Sequence, residues 1–265
     1  MTEHENLDYA RRFGGVARLY GSAALERFSS ARVCVIGIGG VGSWAAEALA
    51  RSAIGEITLI DLDNVAESNV NRQILALDGE FGRAKVNVMA QRIRAINPVC
   101  RVHAVEEFIE ESNMERLIDE QFDYVVDCID AYRTKAALIA HCRRRKIPVI
   151  TVGGAGGQVD PLKIVLADLS RTEQDPLLSK TRKLLRKDYG FSRNLKRRFS
   201  VPCVYSSEQQ RQPESEQGAC DLASAETGIT GLNCAGFGSS VVVTASFGLV
   251  AISHVLGKIA ESAGS

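Results

Sequence analysis

Arg32-Val33-Cys34-Val35-Ile36-Gly37-Ile38-Gly39-Gly40-Val41-Gly42-Ser43, together with Glu56-Ile57-Thr58-Leu59-Ile60-Asp61 a short distance on, decides the fold. The first run is short and β-branched and ends in glycines, the pattern of a strand buried on both faces of a parallel sheet. Residues 41–53 carry helical spacing, and Glu56 to Asp61 repeat the buried-strand pattern. Strand, helix and strand within about thirty residues form the unit of a doubly wound α/β sheet. Between the first strand and its helix, Gly37, Gly39 and Gly42 satisfy G-x-G-x-x-G, and Gly40 adds a further bare position. Glycines there let the backbone approach a phosphate, and the helix N-terminus favours the anion. Asp61 ends the second strand nineteen residues after Gly42, where a carboxylate accepts ribose hydroxyls. Up to this point the pattern says nucleotide and leaves NAD and ATP open.

The polar stretch after Asp61 favours ATP. Asp63, Asn69, Arg72, Gln73 and Lys85 lie in this stretch and in the helix that follows it. A dinucleotide's pyrophosphate bridge is held well by backbone amides and seldom needs two cations beside it. A triphosphate being cleaved must have its departing charge neutralised, which Arg and Lys aimed at the phosphates accomplish. A further strand, Tyr124 to Asp130, ends in Asp127-Cys128-Ile129-Asp130. Asp130 at that edge suits a magnesium ion, and Asp127 reads as a structural strand-end residue.

Outward from this core, residues 83–96 read as a helix stopped by Asn97-Pro98, residues 100–107 as a strand and 112–118 as a short helix. A helix over 131–146 leads to a strand at 148–152, and after a glycine-rich turn at 153–157 a strand at 163–167 is expected to pair antiparallel. The turn is suited to let backbone approach a substrate or an ion. Residues 170–235 break the rhythm and are expected to be helical only near 175–187. An excursion of that length is usually functional. From Lys180 to Arg198 it holds nine basic residues against one acidic. They are Lys180, Arg182, Lys183, Arg186, Lys187, Arg193, Lys196, Arg197 and Arg198, and phosphate backbones match them through counterion release. His141 to Lys146 would add to the same face.

The whole chain is expected to be one adenylating domain over 1–265, divided into a lead-in (1–30), a nucleotide core (31–169), the basic arm (170–235) and a closing buried helix (236–261). Its 265 residues, 45% hydrophobic and 24% charged, suffice for one large globular core and are too apolar for disorder. Basic and acidic residues balance at 32 each, so a charged partner is announced only by the local arm. The seven cysteines form no C-x-x-C pair, which argues against a zinc ribbon or disulfide framework and fits a reducing cytosol. The polar start lacks the apolar core of a secretory signal. Phe237 to Leu256 is about long enough to cross a bilayer, but its serines, threonine and histidine favour a helix buried in a core or dimer interface. A cytoplasmic protein is the expectation.

Taken together, the loop at 37–43, the Asp61 strand, Asn69-Val70-Asn71-Arg72-Gln73, Lys85 and Asp127-Cys128-Ile129-Asp130 resemble the adenylating core of the ubiquitin-activating, molybdopterin-synthase-activating and thiamine-sulfur-activating enzymes, over about residues 10–165. The resemblance implies a Rossmann variant with an antiparallel extension and a basic crossover arm. It implies that ATP is bound by Gly37, Gly39, Gly40, Gly42, Asp61, Asp63, Asn69, Arg72, Gln73 and Lys85, with Asp130 holding Mg2+. Arg72, Lys85 and Asp130 would be catalytic, joined by Arg12 reaching across a homodimer to the partner's phosphates. The chain departs from the family at Gly15, where a second arginine is usual, and at Ala131, where an asparagine is usual. Arg18 is the available substitute for the first.

Residues 11–21, 153–161, 203–208 and 233–239 further resemble the tRNA-modifying branch of that family, bacterial enzymes that dehydrate threonylcarbamoyladenosine to a cyclic form. That implies modified tRNA as partner, ATP activation of the threonine carboxylate, and attack by the neighbouring carbamoyl group. A tethered nucleophile needs no catalytic cysteine. A monovalent cation (K+ or Na+) and a sulfur-acceptor or desulfurase partner belong to the same expectation. Cys203 and Cys220 lie in the arm where thioester-forming relatives keep a cysteine, and Cys234 lies among small residues. Two other functions fit part of these residues: adenylation of a ubiquitin-like sulfur carrier's C-terminus, and an NAD-dependent oxidoreductase or nucleotide sensor.

Overall fold

The computed structural model describes residues 8–211 and 237–263. Seven strands form one sheet in the order β3-β2-β1-β4-β5-β7-β6. They are β1 (Arg32–Ile36), β2 (Glu56–Ile60), β3 (Arg101–Val105), β4 (Tyr124–Asp127), β5 (Val149–Val152), β6 (Ile164–Asp168) and β7 (Pro202–Ser206). All neighbours pair in parallel except β6 with β7, which are antiparallel. The expected doubly wound sheet with an antiparallel extension is therefore present.

Alternation along β1 shows how the sequence builds two layers. Val33 and Val35 enter one core with Phe28, Leu49, Met89 and Phe247. Cys34 and Ile36 enter the other with Leu138, Ile139, Ile118 and Leu178. Successive strand side chains point to opposite faces, so a strand apolar at every position must be covered twice. On the first face lie α1 (Tyr9–Tyr20), α2 (Ser22–Ser30), α3 (Gly42–Arg51), α4 (Lys85–Ile96) and α8 (Val241–Glu261). The second carries α5 (Met114–Leu117), α6 (Tyr132–Arg145) and α7 (Pro176–Asp188).

By length and composition α8 could cross a membrane, yet half of its apolar window is buried in this fold. Gly248 allows its close approach to α3, since a Cβ there would stand 2.7 Å from the Val41 carbonyl. The lead-in is two helices, and Arg12 rests on the end of α4 with Nη1 2.8 Å from the Ile96 carbonyl.

One expectation is corrected. The excursion after residue 170 is not helical alone: Pro202–Ser206 is a sheet strand inserted between β5 and β6. Its buried residues Cys203 and Val204 pair in parallel with β5, some fifty residues earlier in the chain, and together with Tyr205 they pair in antiparallel with β6. The antiparallel pairing expected at 163–167 is made with this strand.

Candidate active site

From β1 the chain winds one way to β2 and β3 and later returns on the other side as β4. That order reverses between β1 and β4, and the carboxyl ends of such a strand pair are the usual ligand position in open α/β sheets. The glycine loop sits there. Gly37 has φ +85°, and a Cβ on it would lie 2.9 Å from the Cys128 carbonyl. One on Gly42 would collide with the Gly37 carbonyl, and one on Gly40 would stand 3.2 Å from Arg72 Cγ. Gly39 is different, because a Cβ there meets nothing within 4 Å. Packing within the chain thus explains three of the glycines, and the fourth leaves backbone bare toward open space at the start of α3.

Asp61 braces this loop. Its Oδ2 accepts from the Ile38 amide at 2.5 Å and its Oδ1 from the Asp63 amide at 2.8 Å. Burial pushes its carboxyl above the ordinary carboxylate value, while Lys85 and these two amides pull the other way. Each oxygen keeps a second lone pair for an incoming hydroxyl.

Lys85, the first residue of α4, places Nζ 2.8 Å from Asp63 Oδ2. The lysine side chain is 7% exposed and its partner 56%, so the buried cation is held by a carboxylate that water or a ligand can displace. Arg72 is also buried and lies against Gly40. Its Nη1 donates to the Ser68 carbonyl and to Asn71 Oδ1, both at 2.8 Å, and its own carbonyl accepts from Trp44 Nε1 at 3.0 Å. Burial draws its guanidinium below the ordinary value.

Asn69 is buried, and its Oδ1 holds the Ala66 amide at 3.1 Å, closing the turn that precedes Arg72. Gln73 is buried too, with Oε1 lacking a hydrogen-bond partner. The structure therefore joins Asp61, Asp63 and Lys85 to one side of the loop and Arg72 to the other.

Beyond the end of β4, Asp130 is exposed and Asp127 fully buried. Asp127 Oδ2 accepts from Lys135 Nζ at 2.9 Å and from the Thr151 hydroxyl at 2.7 Å, which bears out its structural reading. Lys135 was not singled out by the sequence. The available sign was a lone lysine in front of the apolar run from Ala136 to Ala140.

Arg12 is not brought to this edge. It meets the far end of α4 from Lys85, roughly 18 Å along a twelve-residue helix.

The basic arm folds onto α6 through α7. Asp175 caps α7, with Oδ1 accepting from the Leu178 amide and Oδ2 from the Gly154 amide, both at 2.9 Å. Burial raises the Asp175 carboxyl above its ordinary value against these bonds and against Lys135 and Arg182. A cleft of about 320 Å³ is lined by Ser179, Arg182, Lys183, Arg186, Lys187 and Arg193. Arg182 also bonds the Thr172 hydroxyl, and burial lowers its guanidinium. Arg186 lies 5.1 Å over the Phe199 ring and Lys180 5.8 Å over the Tyr132 ring. Lys196, Arg197 and Arg198 are exposed on the loop that follows.

The contribution expected from His141 to Lys146 is corrected in part. His141 and Cys142 are buried, His141 on the Ile118 carbonyl at 2.8 Å, and Arg145 is paired with Glu120. Only the exposed Arg143, Arg144 and Lys146 can face a polyanion.

Cys203 is fully buried in β7, and burial pushes its thiol well above the ordinary value, the reverse of what a nucleophile needs. Cys220 and Cys234 lie outside the described residues.

A glycine loop at a sheet's reversal point, a carboxylate on the second strand and two buried cations beside it define a doubly wound nucleotide-binding protein with a cationic phosphate edge. The chain belongs to the ThiF family, whose model matches residues 9–262. It is 52% identical over 256 residues to the tRNA threonylcarbamoyladenosine dehydratase of Escherichia coli K12, covering 96% of each chain. It is 50% identical over 253 residues to the Haemophilus influenzae enzyme of the same name, covering 95% of this chain and 94% of that one. The crystal structure of the E. coli enzyme in complex with ATP superposes with a TM-score of 0.86 at 50% identity, over 97% of this chain and 96% of that one.

Proposed function

We propose that this protein uses ATP to activate the threonine carboxylate of threonylcarbamoyladenosine in tRNA and closes it to the cyclic form with loss of water. The observation that carries this reading is the presence of two phosphate-suited surfaces on one chain. One is the ATP-suited loop flanked by Arg72 and Lys85. The other is the basic cleft on α7, whose cap residue Asp175 is hydrogen-bonded to the turn that follows β5. Near full-length similarity to two dehydratases supports it.

In the reaction, a carboxylate oxygen attacks the α-phosphorus and pyrophosphate leaves. The carbamoyl group then attacks the acyl carbon and AMP departs with the substrate oxygen, so the ring forms with net loss of water. The chain's part is placement and charge. The Gly39 backbone and the N-terminus of α3 face the phosphates, Asp61 accepts ribose hydroxyls, and Lys85 and Arg72 neutralise the departing pyrophosphate. The intramolecular attack profits from tethering rather than from a protein nucleophile.

Magnesium fits this edge in one way. Among the described residues no group of three or more His, Cys, Asp and Glu side chains could hold a metal, which suits an ion bound chiefly by phosphates and water with Asp130 as its protein ligand. Such an ion supplies further neutralisation of phosphate charge. A K+ or Na+ ion at the glycine turn would have to share carbonyls already in use, since Gly156 accepts from Gln210 Nε2 and Gly157 from the Arg211 amide.

A homodimer, with Arg12 completing the partner's site, is part of the proposal, as are a single adenylating domain and a cytoplasmic location with the tRNA. A sulfur-acceptor or desulfurase partner rests on the family resemblance alone. Adenylation of a sulfur carrier would leave the α7 cleft without a task, and NAD chemistry would leave Arg72 and Lys85 without one.

The test is to incubate the protein with ATP and tRNA carrying the precursor, digest to nucleosides and weigh them. A product lighter by one water, with AMP formed, is expected. An unchanged nucleoside from tRNA known to carry the precursor overturns the proposal.

A further inference from the structure

Lys135 is fully buried on α6, and the reaction as written does not use it. Its Nζ lies 2.9 Å from Asp127 Oδ2 and 3.1 Å from the Thr151 hydroxyl oxygen. That hydroxyl donates to the same Oδ2 at 2.7 Å, and the other carboxylate oxygen accepts from the Ile129 amide at 3.1 Å. The carboxylate is therefore gripped by α6, by the end of β5 and by the β4–α6 loop at once. Burying a charge pair costs desolvation that an apolar pair of similar volume avoids, so packing alone does not account for these residue types.

What the grip controls is a loop that faces the nucleotide edge. Cys128 donates its amide to the Ile36 carbonyl at 2.9 Å, and its own carbonyl is the atom that bars a side chain from Gly37. Asp130 follows two residues later. On the other side, the strand of Thr151 runs into Gly153 and Gly154, and Gly154 is bonded to the cap of the basic helix.

We infer that Lys135 is a positioning residue: acting through Asp127, it sets the β4–α6 loop against the glycine loop so that Asp130 meets the bound ATP in register. The inference rests on the ATP reading above. Its test uses Thr151→Val, Lys135→Arg and Lys135→Met in the full chain. ATP affinity, turnover per folded molecule, thermal midpoint and amide hydrogen exchange at Ile129 are measured for each.

Thr151→Val leaves the ion pair intact and so retains the fold. It is expected to weaken ATP binding by about three- to tenfold and to speed exchange at Ile129. Lys135→Met is expected to cost more than tenfold in kcat, roughly a factor typical of a misplaced reacting group, and Lys135→Arg to recover part of it. Should Lys135→Met fail to fold, Thr151→Val decides. Variants with lowered midpoints whose folded molecules bind ATP, exchange at Ile129 and turn over within about twofold of the parent overturn the inference, because Lys135 would then only balance a buried charge. Parent protein that binds ATP yet leaves tRNA unchanged would sink the cyclisation reading instead, while affinity and Ile129 exchange still decide Lys135.

Discussion

Asp61 carries a structural duty and, in the proposed reaction, a chemical one with the opposite demand. It braces Ile38 and Asp63 by two amide bonds while burial raises its carboxyl. A carboxyl raised in the folded state contributes stability that is present below its unfolded value and lost as pH rises through the folded one. Ionised Asp61 therefore costs stability at neutral pH, where the proposed ATP binding requires it as an acceptor for ribose hydroxyls. ATP affinity should fall on acidification, beginning at a pH above the ordinary carboxylate range. Asp61→Asn should bind ATP more weakly at pH 7 and lose that part of the pH dependence. Titration calorimetry on both proteins from pH 7.5 to about 5 checks this, and their difference cancels the titration of ATP's own phosphates.

Among the elements, α7 was legible because Asp175-Pro176 is a cap followed by proline at the first helical position, and lysine and arginine crowd its final turns. Its strand neighbour β7 was not. Pro202 and the short apolar run Cys203–Tyr205 look like many buried loop segments, and only pairing with β5 and β6 makes them a strand. The contacts of the side chains that line the cleft, from Ser179 to Arg193, separate the arm's cations by duty. Arg182 and Arg186 are engaged with Thr172 and Phe199, whereas Lys183, Lys187 and Arg193 are exposed. Replacing those three by serine should weaken tRNA binding and lower the slope of log affinity against log salt by about one per cation removed. ATP affinity without tRNA should not change. Filter binding across a salt series reads the slope, and an unchanged slope would move the RNA surface elsewhere.

At the scale of the whole molecule, the separation of Arg12 from Lys85 along α4 means that one copy of the chain does not bring both to the same phosphates. If the proposed dimer completes its sites in trans, Arg12→Ala and Lys85→Ala proteins should each be inactive, and mixing them with exchange of subunits should regain activity. A random mixture of equal amounts gives about a quarter of the parent activity, since half the dimers are mixed and each carries one intact site. Turnover before and after mixing, alongside the mass in solution, is the measurement. Two inactive proteins that stay inactive after demonstrated exchange would remove the partner's arginine from the mechanism.

Local pattern by itself determined the strand–helix–strand core, the glycine loop, Asp61 and the cation-bearing stretch after it, because backbone geometry and phosphate chemistry constrain adjacent residues directly. Tertiary structure alone decided the rest. Asp127, Lys135 and Thr151 are far apart in sequence and meet only when β4, β5 and α6 pack, and Asp175 reaches the Gly154 amide only when α7 docks beside them. The same holds for β7, whose ladder partners are far away in sequence, and for Arg12, whose distance from the phosphate edge is set by the length of a helix it does not belong to.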